Sequence, residues 1–229
     1  MTSALENLAG VVILAGGASQ RMGSPKALLT LPTGESLLNY HVRHAAKLNV
    51  PIMIADNGRD FKIDAELLAD NPQLSIAHIA DYISISVVDN EETEGPLVAI
   101  ESALQYLVNI KDALERKQSW LMVISCDSLI NAHELWQQLN VYSTADIDNN
   151  EDKSVICLAD DSNLYPLLGL YRLSIEPALR AYIDSGERRV MSLIKPIAQT
   201  VAVLEKQQLL TNFNTPTDFK RACSALYDL

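Results

Sequence analysis

The 229-residue chain carries 48% hydrophobic and 21% charged residues, which is enough apolar matter for a sizeable core and does not fit a disordered chain. With 18 basic against 29 acidic residues the formal net charge is −11, which argues against gripping nucleic acid through clustered Lys and Arg and leaves open a local site for one small phosphate compound. Cys126, Cys157 and Cys223 are odd in number and form no C-x-x-C, so they read as reduced, buried thiols rather than a disulfide framework or zinc site. The start, MTSALENLAG, has no basic segment ahead of an apolar one, and the apolar run Leu8–Gly17 is far short of the roughly 20 residues a membrane helix needs. A cytoplasmic protein with no membrane and no nucleic-acid partner is expected.

In chain order, LAGVVILA at 8–15 reads as a strand buried on both faces, ending at Gly16-Gly17. Residues 35–50 have helical apolar spacing, and PIMIA at 51–55 follows as a second strand, which begins a strand–helix–strand unit. A short helix at 63–69 and a mixed stretch up to Asp81 come next, then a strand at 83–88, ISISVV. Apolar positions at 97, 100, 103, 104, 107 and 108 mark a helix. WLMVIS at 120–125 is the clearest buried strand and runs into Cys126-Asp127. A helix at 131–142, an acidic loop at 146–153, strands at 155–159 and 166–171, a helix at 175–185, a short helix at 190–194, a strand at 200–204 and a final helix at 217–229 complete the reading. Strands alternating with helices predict one α/β domain: a mostly parallel sheet with helices on both faces.

Chemistry concentrates in the loop after the first strand, Leu14-Ala15-Gly16-Gly17-Ala18-Ser19-Gln20-Arg21-Met22-Gly23-Ser24-Pro25-Lys26. Open α/β sheets bind ligands outside the carboxyl ends of their strands. Glycines let backbone N–H groups approach phosphate oxygens, and Arg21 and Lys26 can offset triphosphate charge. The spacing is neither a P-loop nor G-x-G-x-x-G. Asp127 stands where a carboxylate suits Mg²⁺, with a helix cap or plain loop acid as the bland alternative. For Asp89 a turn residue and a ligand weigh equally, and Asn57-Gly58 is by itself an ordinary turn signal. His41 and His44 lack a third metal ligand and read as solvated or helix-face histidines. Cys126 reads as packing, and Arg188-Arg189 as a solvated pair or a substrate-facing one.

The first loop resembles the signature of nucleotidyltransferases with a nucleotide-diphospho-sugar-transferase fold, and more closely that of the molybdenum cofactor guanylyltransferases. Four further segments support the closer match: Ala55-Asp56-Asn57-Gly58-Arg59, Asp89 with Gly95-Pro96-Leu97, Ser125-Cys126-Asp127, and Asn212-Phe213-Asn214-Thr215-Pro216-Thr217-Asp218. The chain departs from the family where its usual prolines appear as Ser125 and Leu129, and where the stretch from Arg59 to Asp89 is longer.

The resemblance implies a three-layer single domain over 1–229, with a nucleotide-binding half at about 1–130 and an acceptor half at about 131–229. It implies transfer of GMP from GTP to molybdopterin with Mg²⁺, and it opens cofactor-synthesis proteins or acceptor molybdoenzymes as partners. Leu14, Ala15, Gly16 and Gly17 would contact the nucleotide, Lys26 and Arg21 its phosphates, and Asn57 and Asp89 its base or ribose. Asp127 would ligate Mg²⁺, with Asn212 and Asn214 beside the acceptor or the metal. Alternatives are a cytidylyltransferase of the same cofactor, a sugar-phosphate nucleotidyltransferase, and a non-catalytic nucleotide-binding protein.

Overall fold

Alternation along the strands sets the layers. In β1 (Leu8–Leu14), Val11 and Ile13 face one core while Ala9 and Val12 face the other. The computed structural model describes residues 7–17, 22–81, 95–110, 119–143 and 153–227. Its first core takes apolar residues from α1 (Leu37–Ala46), α4 (Ala132–Ser143) and α7 (Pro216–Tyr227). Its second takes them from α3 (Pro96–Ile110), α5 (Glu176–Asp184) and α6 (Val190–Ile194). A sheet buried on both faces gives the expected three layers.

Among the described residues the sheet has seven strands in the order β3-β2-β1-β4-β6-β5-β7. Its members are β2 (Ile52–Ala55), β3 (Ile76–Ile79), β4 (Trp120–Ser125), β5 (Val155–Ala159), β6 (Leu164–Arg172) and β7 (Ala198–Ala202). Only β6 runs against its neighbours. The register places Ile79, Ala55, Leu14 and Ser125 side by side, so four parallel strands end on one rung. The chain goes outward from β1 to β2 on one side and to β4 on the other, which makes the gap between β1 and β4 a switch point where ligand crevices form.

Most elements lie within a few residues of their expected places. The strand expected at 83–88 falls outside the described residues. A strand the sequence reading did not name, β3 at Ile76–Ile79, lies in the stretch read as mixed, with Asp81 two residues beyond it. A short helix α2 (Ala65–Asp70) precedes it, with Asp64 accepting from the Glu66 N–H at 2.8 Å as its cap. The Asn212–Asp218 segment has a local reason for its residue types. Thr215 Oγ1 accepts from the Asp218 N–H at 3.2 Å and the Asp218 carboxylate accepts from the Thr215 N–H at 3.1 Å, a reciprocal cap with Pro216 opening α7.

Between α3 and α5 the carboxyl groups of Glu101 and Glu176 are both buried, and Arg180 serves both, its Nε donating to Glu101 at 3.1 Å. Burial first, then the neighbouring Glu176 charge, pushes the Glu101 carboxyl well above the ordinary carboxylate range. In the unfolded chain Glu101 ionises near its ordinary value; in the folded one it holds its proton to higher pH. Between the two the folded state binds more protons, so stability falls as pH rises. The melting temperature is expected to drop between about pH 4.5 and about 8, and Glu101→Gln, which keeps an acceptor for Arg180 without the charge, to flatten that drop.

Candidate active site

The four loops leaving the common rung enclose a cleft of about 400 Å³. Leu14, Ala15, Gly16 and Gly17 form its floor from β1, Asn57 enters from β2, Asp127 from β4, and Lys26 and Asn214 close one side. The sequence therefore named eight of the residues that line it. Asn212 stands one step back, its side-chain oxygen accepting from the Asn214 amide at 3.2 Å. Arg21 and Asp89 lie outside the described residues.

Gly16 and Asn57 are fitted to each other. A Cβ on Gly16 would stand 2.4 Å from Asn57 Oδ1 and 2.8 Å from its Cγ, so the glycine is what lets that side chain lie across the floor. Asn57 itself is left-handed, at φ 54°, a conformation Asn tolerates better than most residues. The turn is held from below by Asp56, a buried carboxylate that accepts from the Phe61 N–H at 3.0 Å and from His78 Nδ1–H at 2.9 Å. Thus β3 reaches under the β2 loop.

Lys26 opens a short 3₁₀ turn, Lys26–Leu28, and its ammonium crosses to the other end of the chain. It donates to the Phe213 carbonyl at 2.8 Å and to Asn214 Oδ1 at 2.9 Å, and lies 3.6 Å from the Asp127 carboxylate. One cation thus ties together three of the motifs. The Asp127 side chain keeps 31% of its surface open at the end of a strand that is buried throughout. Among the described residues no three His, Cys, Asp or Glu side chains gather into a metal cage.

Sequence reasoning missed Asp81, which also lines the cleft. It stands two residues beyond β3, at the carboxyl end of the sheet. The signal is its position just after Ile76–Ile79, in a stretch whose pattern reads as mixed. Gly95, at φ 90°, and Pro96 bring the N-terminus of α3 to the cleft wall, and Leu167 of β6 also lines it.

Other readings resolve as follows. Cys126 is buried, and burial followed by the adjacent Asp127 charge raises its thiol pKa, as suits packing. His41 is not solvated: it is fully buried, and burial lowers its pKa to about 4. Burial lowers that of His44 to about 3, with Arg43 adding to it. Arg188 donates to the Ile183 and Glu187 carbonyls beside the end of α5, and neither Arg188 nor Arg189 lines the cleft. No helix among the described residues is long and apolar enough to cross a membrane.

Comparison with known proteins decides the family. The MobA-like NTP transferase domain matches residues 11–203. The chain belongs to that family. A relative from Carboxydothermus hydrogenoformans named "Probable molybdenum cofactor guanylyltransferase" is 26% identical over 224 residues, covering 95% of each chain. Among solved structures, molybdopterin-guanine dinucleotide biosynthesis protein A from Archaeoglobus fulgidus matches with a TM-score of 0.64 at 20% identity, over 96% of this chain and 100% of the other. A 4-diphosphocytidyl-2C-methyl-D-erythritol synthase from Anaerococcus prevotii matches with a TM-score of 0.58 at 10% identity, over 99% and 100%. The MobA-like chain thus shares its fold with proteins whose names carry guanine and cytosine alike.

Proposed function

We propose that this NTP transferase moves GMP from GTP to the molybdopterin form of the molybdenum cofactor, releasing pyrophosphate. The observation that carries the reading is the meeting of Lys26, Asp127 and the Gly16–Asn57 floor in one cleft at the switch point. The acceptor's terminal phosphate attacks the α-phosphorus of GTP. Such a phosphate is already ionised near neutral pH, so no general base is required, and none is assigned. Lys26 exchanges its present partners for triphosphate oxygens, and the backbone of residues 15–17 lies against the nucleotide. Asn57 and Asp81 hold the base or ribose.

The donor set fits Mg²⁺, which takes one or two carboxylates and fills its shell with substrate phosphates and water; Asp127 would hold it. When bound it would neutralise charge developing on the transferred phosphoryl group.

Purified protein incubated with Mg²⁺, molybdopterin and each of GTP, CTP, ATP and UTP in turn tests this through pyrophosphate release. GTP is expected to be used fastest. Faster use of CTP would assign the chain to the cytidylyl reading, and no release with any nucleotide would favour a non-catalytic binder. Gly16→Ala makes a sharper version of the same test. The added methyl displaces Asn57, so kcat/KM for GTP is expected to fall by about tenfold or more, while the melting temperature changes little because that side chain can swing toward the cleft. Unchanged kinetics would remove the Gly16–Asn57 fit from nucleotide recognition.

A further inference from the structure

Two neighbouring side chains of α1 reach across the core to the loop that carries Asp127. His41 Nε2–H donates to the Ser128 carbonyl at 3.0 Å, and the Tyr40 hydroxyl donates to the Leu129 carbonyl at 2.9 Å. These are the two carbonyls that follow Asp127. From the opposite side the Asp127 carbonyl accepts from the Phe213 N–H at 2.9 Å, and the Leu210 carbonyl accepts from the Leu129 N–H and the Ser128 hydroxyl, each at 2.9 Å. No proline stiffens residues 125–131, so these bonds hold the loop's shape.

The histidine is an unusual choice for this place. A carbonyl can only accept, so the proton sits on Nε2 and Nδ1 is left as an acceptor. Nδ1 is buried and has no partner among the described residues. A leucine or phenylalanine would fill the space without stranding a buried acceptor. What the imidazole supplies in exchange is the bond to Ser128.

We infer that His41, supported by Tyr40, is a positioning residue that fixes the backbone of residues 127–129 and so holds the Asp127 carboxylate toward the cleft in a metal-binding pose. The inference rests on the guanylyltransferase reading. It is tested with wild type, His41→Leu, His41→Gln and Tyr40→Phe. The readouts are Mn²⁺ affinity in the presence of α,β-methylene GTP by calorimetry, the Mg²⁺ dependence of pyrophosphate release, and thermal melting. His41→Leu is expected to weaken Mn²⁺ binding about tenfold, as for groups that orient a metal ligand, while affinity for the GTP analogue without metal stays within about twofold. His41→Gln, whose amide N–H can reach where Nε2 stood, should recover most of the loss. Tyr40→Phe should shift Mn²⁺ affinity the same way by a smaller factor.

Wild-type Mn²⁺ binding in folded His41→Leu overturns the inference, and so does an equal loss in His41→Gln, which would mean that shape rather than the bond matters. If His41→Leu does not fold, Tyr40→Phe decides alone: a shift supports the inference, no shift overturns it. A wild type that releases no pyrophosphate with any nucleotide overturns the guanylyltransferase reading and the inference with it. An active wild type with unchanged variants overturns the inference only.

Discussion

Asp127→Asn is expected to lower pyrophosphate release by about a thousandfold or more while the protein stays folded, since a metal's charge stabilisation of the transition state is worth several kcal/mol. The backbone at this position is held by bonds that the substitution leaves alone: Cys126 N–H to the Leu14 carbonyl at 3.1 Å and Phe213 N–H to the Asp127 carbonyl at 2.9 Å. The side chain is one-third exposed and its ion pair with Lys26 is long, at 3.6 Å, so its loss should cost less than about 1 kcal/mol of stability. Binding of GTP without metal should not weaken either, because Lys26 loses an anionic competitor. Titrating Mg²⁺ against activity, with melting as the control for folding, checks all three. A variant with near-normal turnover would remove Asp127 from the metal site.

How much of this was legible in the sequence depends on how local each cause is. β1 and β4 are continuous apolar runs, and their ends fix Gly16 and Asp127 at one sheet edge, so the core of the cleft could be read directly. β3 could not. It stands at the edge of the sheet among the described residues, partly exposed and interrupted by His78, so its four residues show neither a clean alternation nor a continuous apolar run. Asp81 went unnoticed for the same reason. His41 was misjudged because a polar residue on an amphipathic helix reads as solvent-facing, and its carbonyl partner lies 87 positions away. The Thr215–Asp218 cap is local and legible in type. The crossing of Lys26 to Asn214, 188 positions apart, is tertiary and leaves no trace in spacing.

That crossing gives Lys26 two tasks, and substitution separates them. Its ammonium lies against the Asp127 carboxylate and donates to two oxygens of residues 213–214. On binding, a triphosphate offers a denser negative charge, and the lysine, only 17% exposed, is already aimed across the cleft mouth. Lys26→Ala should therefore weaken GTP binding by about 1.5–3 kcal/mol, the range for a charge-assisted hydrogen bond, which is about ten- to a hundredfold in dissociation constant. It should also lower the melting temperature by a few degrees, because the 212–214 segment loses its tether to the first loop. Asn214→Ala removes one lysine partner while leaving the cation in place, so it should share part of the stability loss and little of the loss in GTP affinity. Calorimetric titration of both variants with GTP, alongside melting curves, gives the comparison. If Lys26→Ala melts early yet binds GTP as wild type does, the lysine is a structural tether between the two ends of the chain, and the triphosphate must be held by the rest of the first loop.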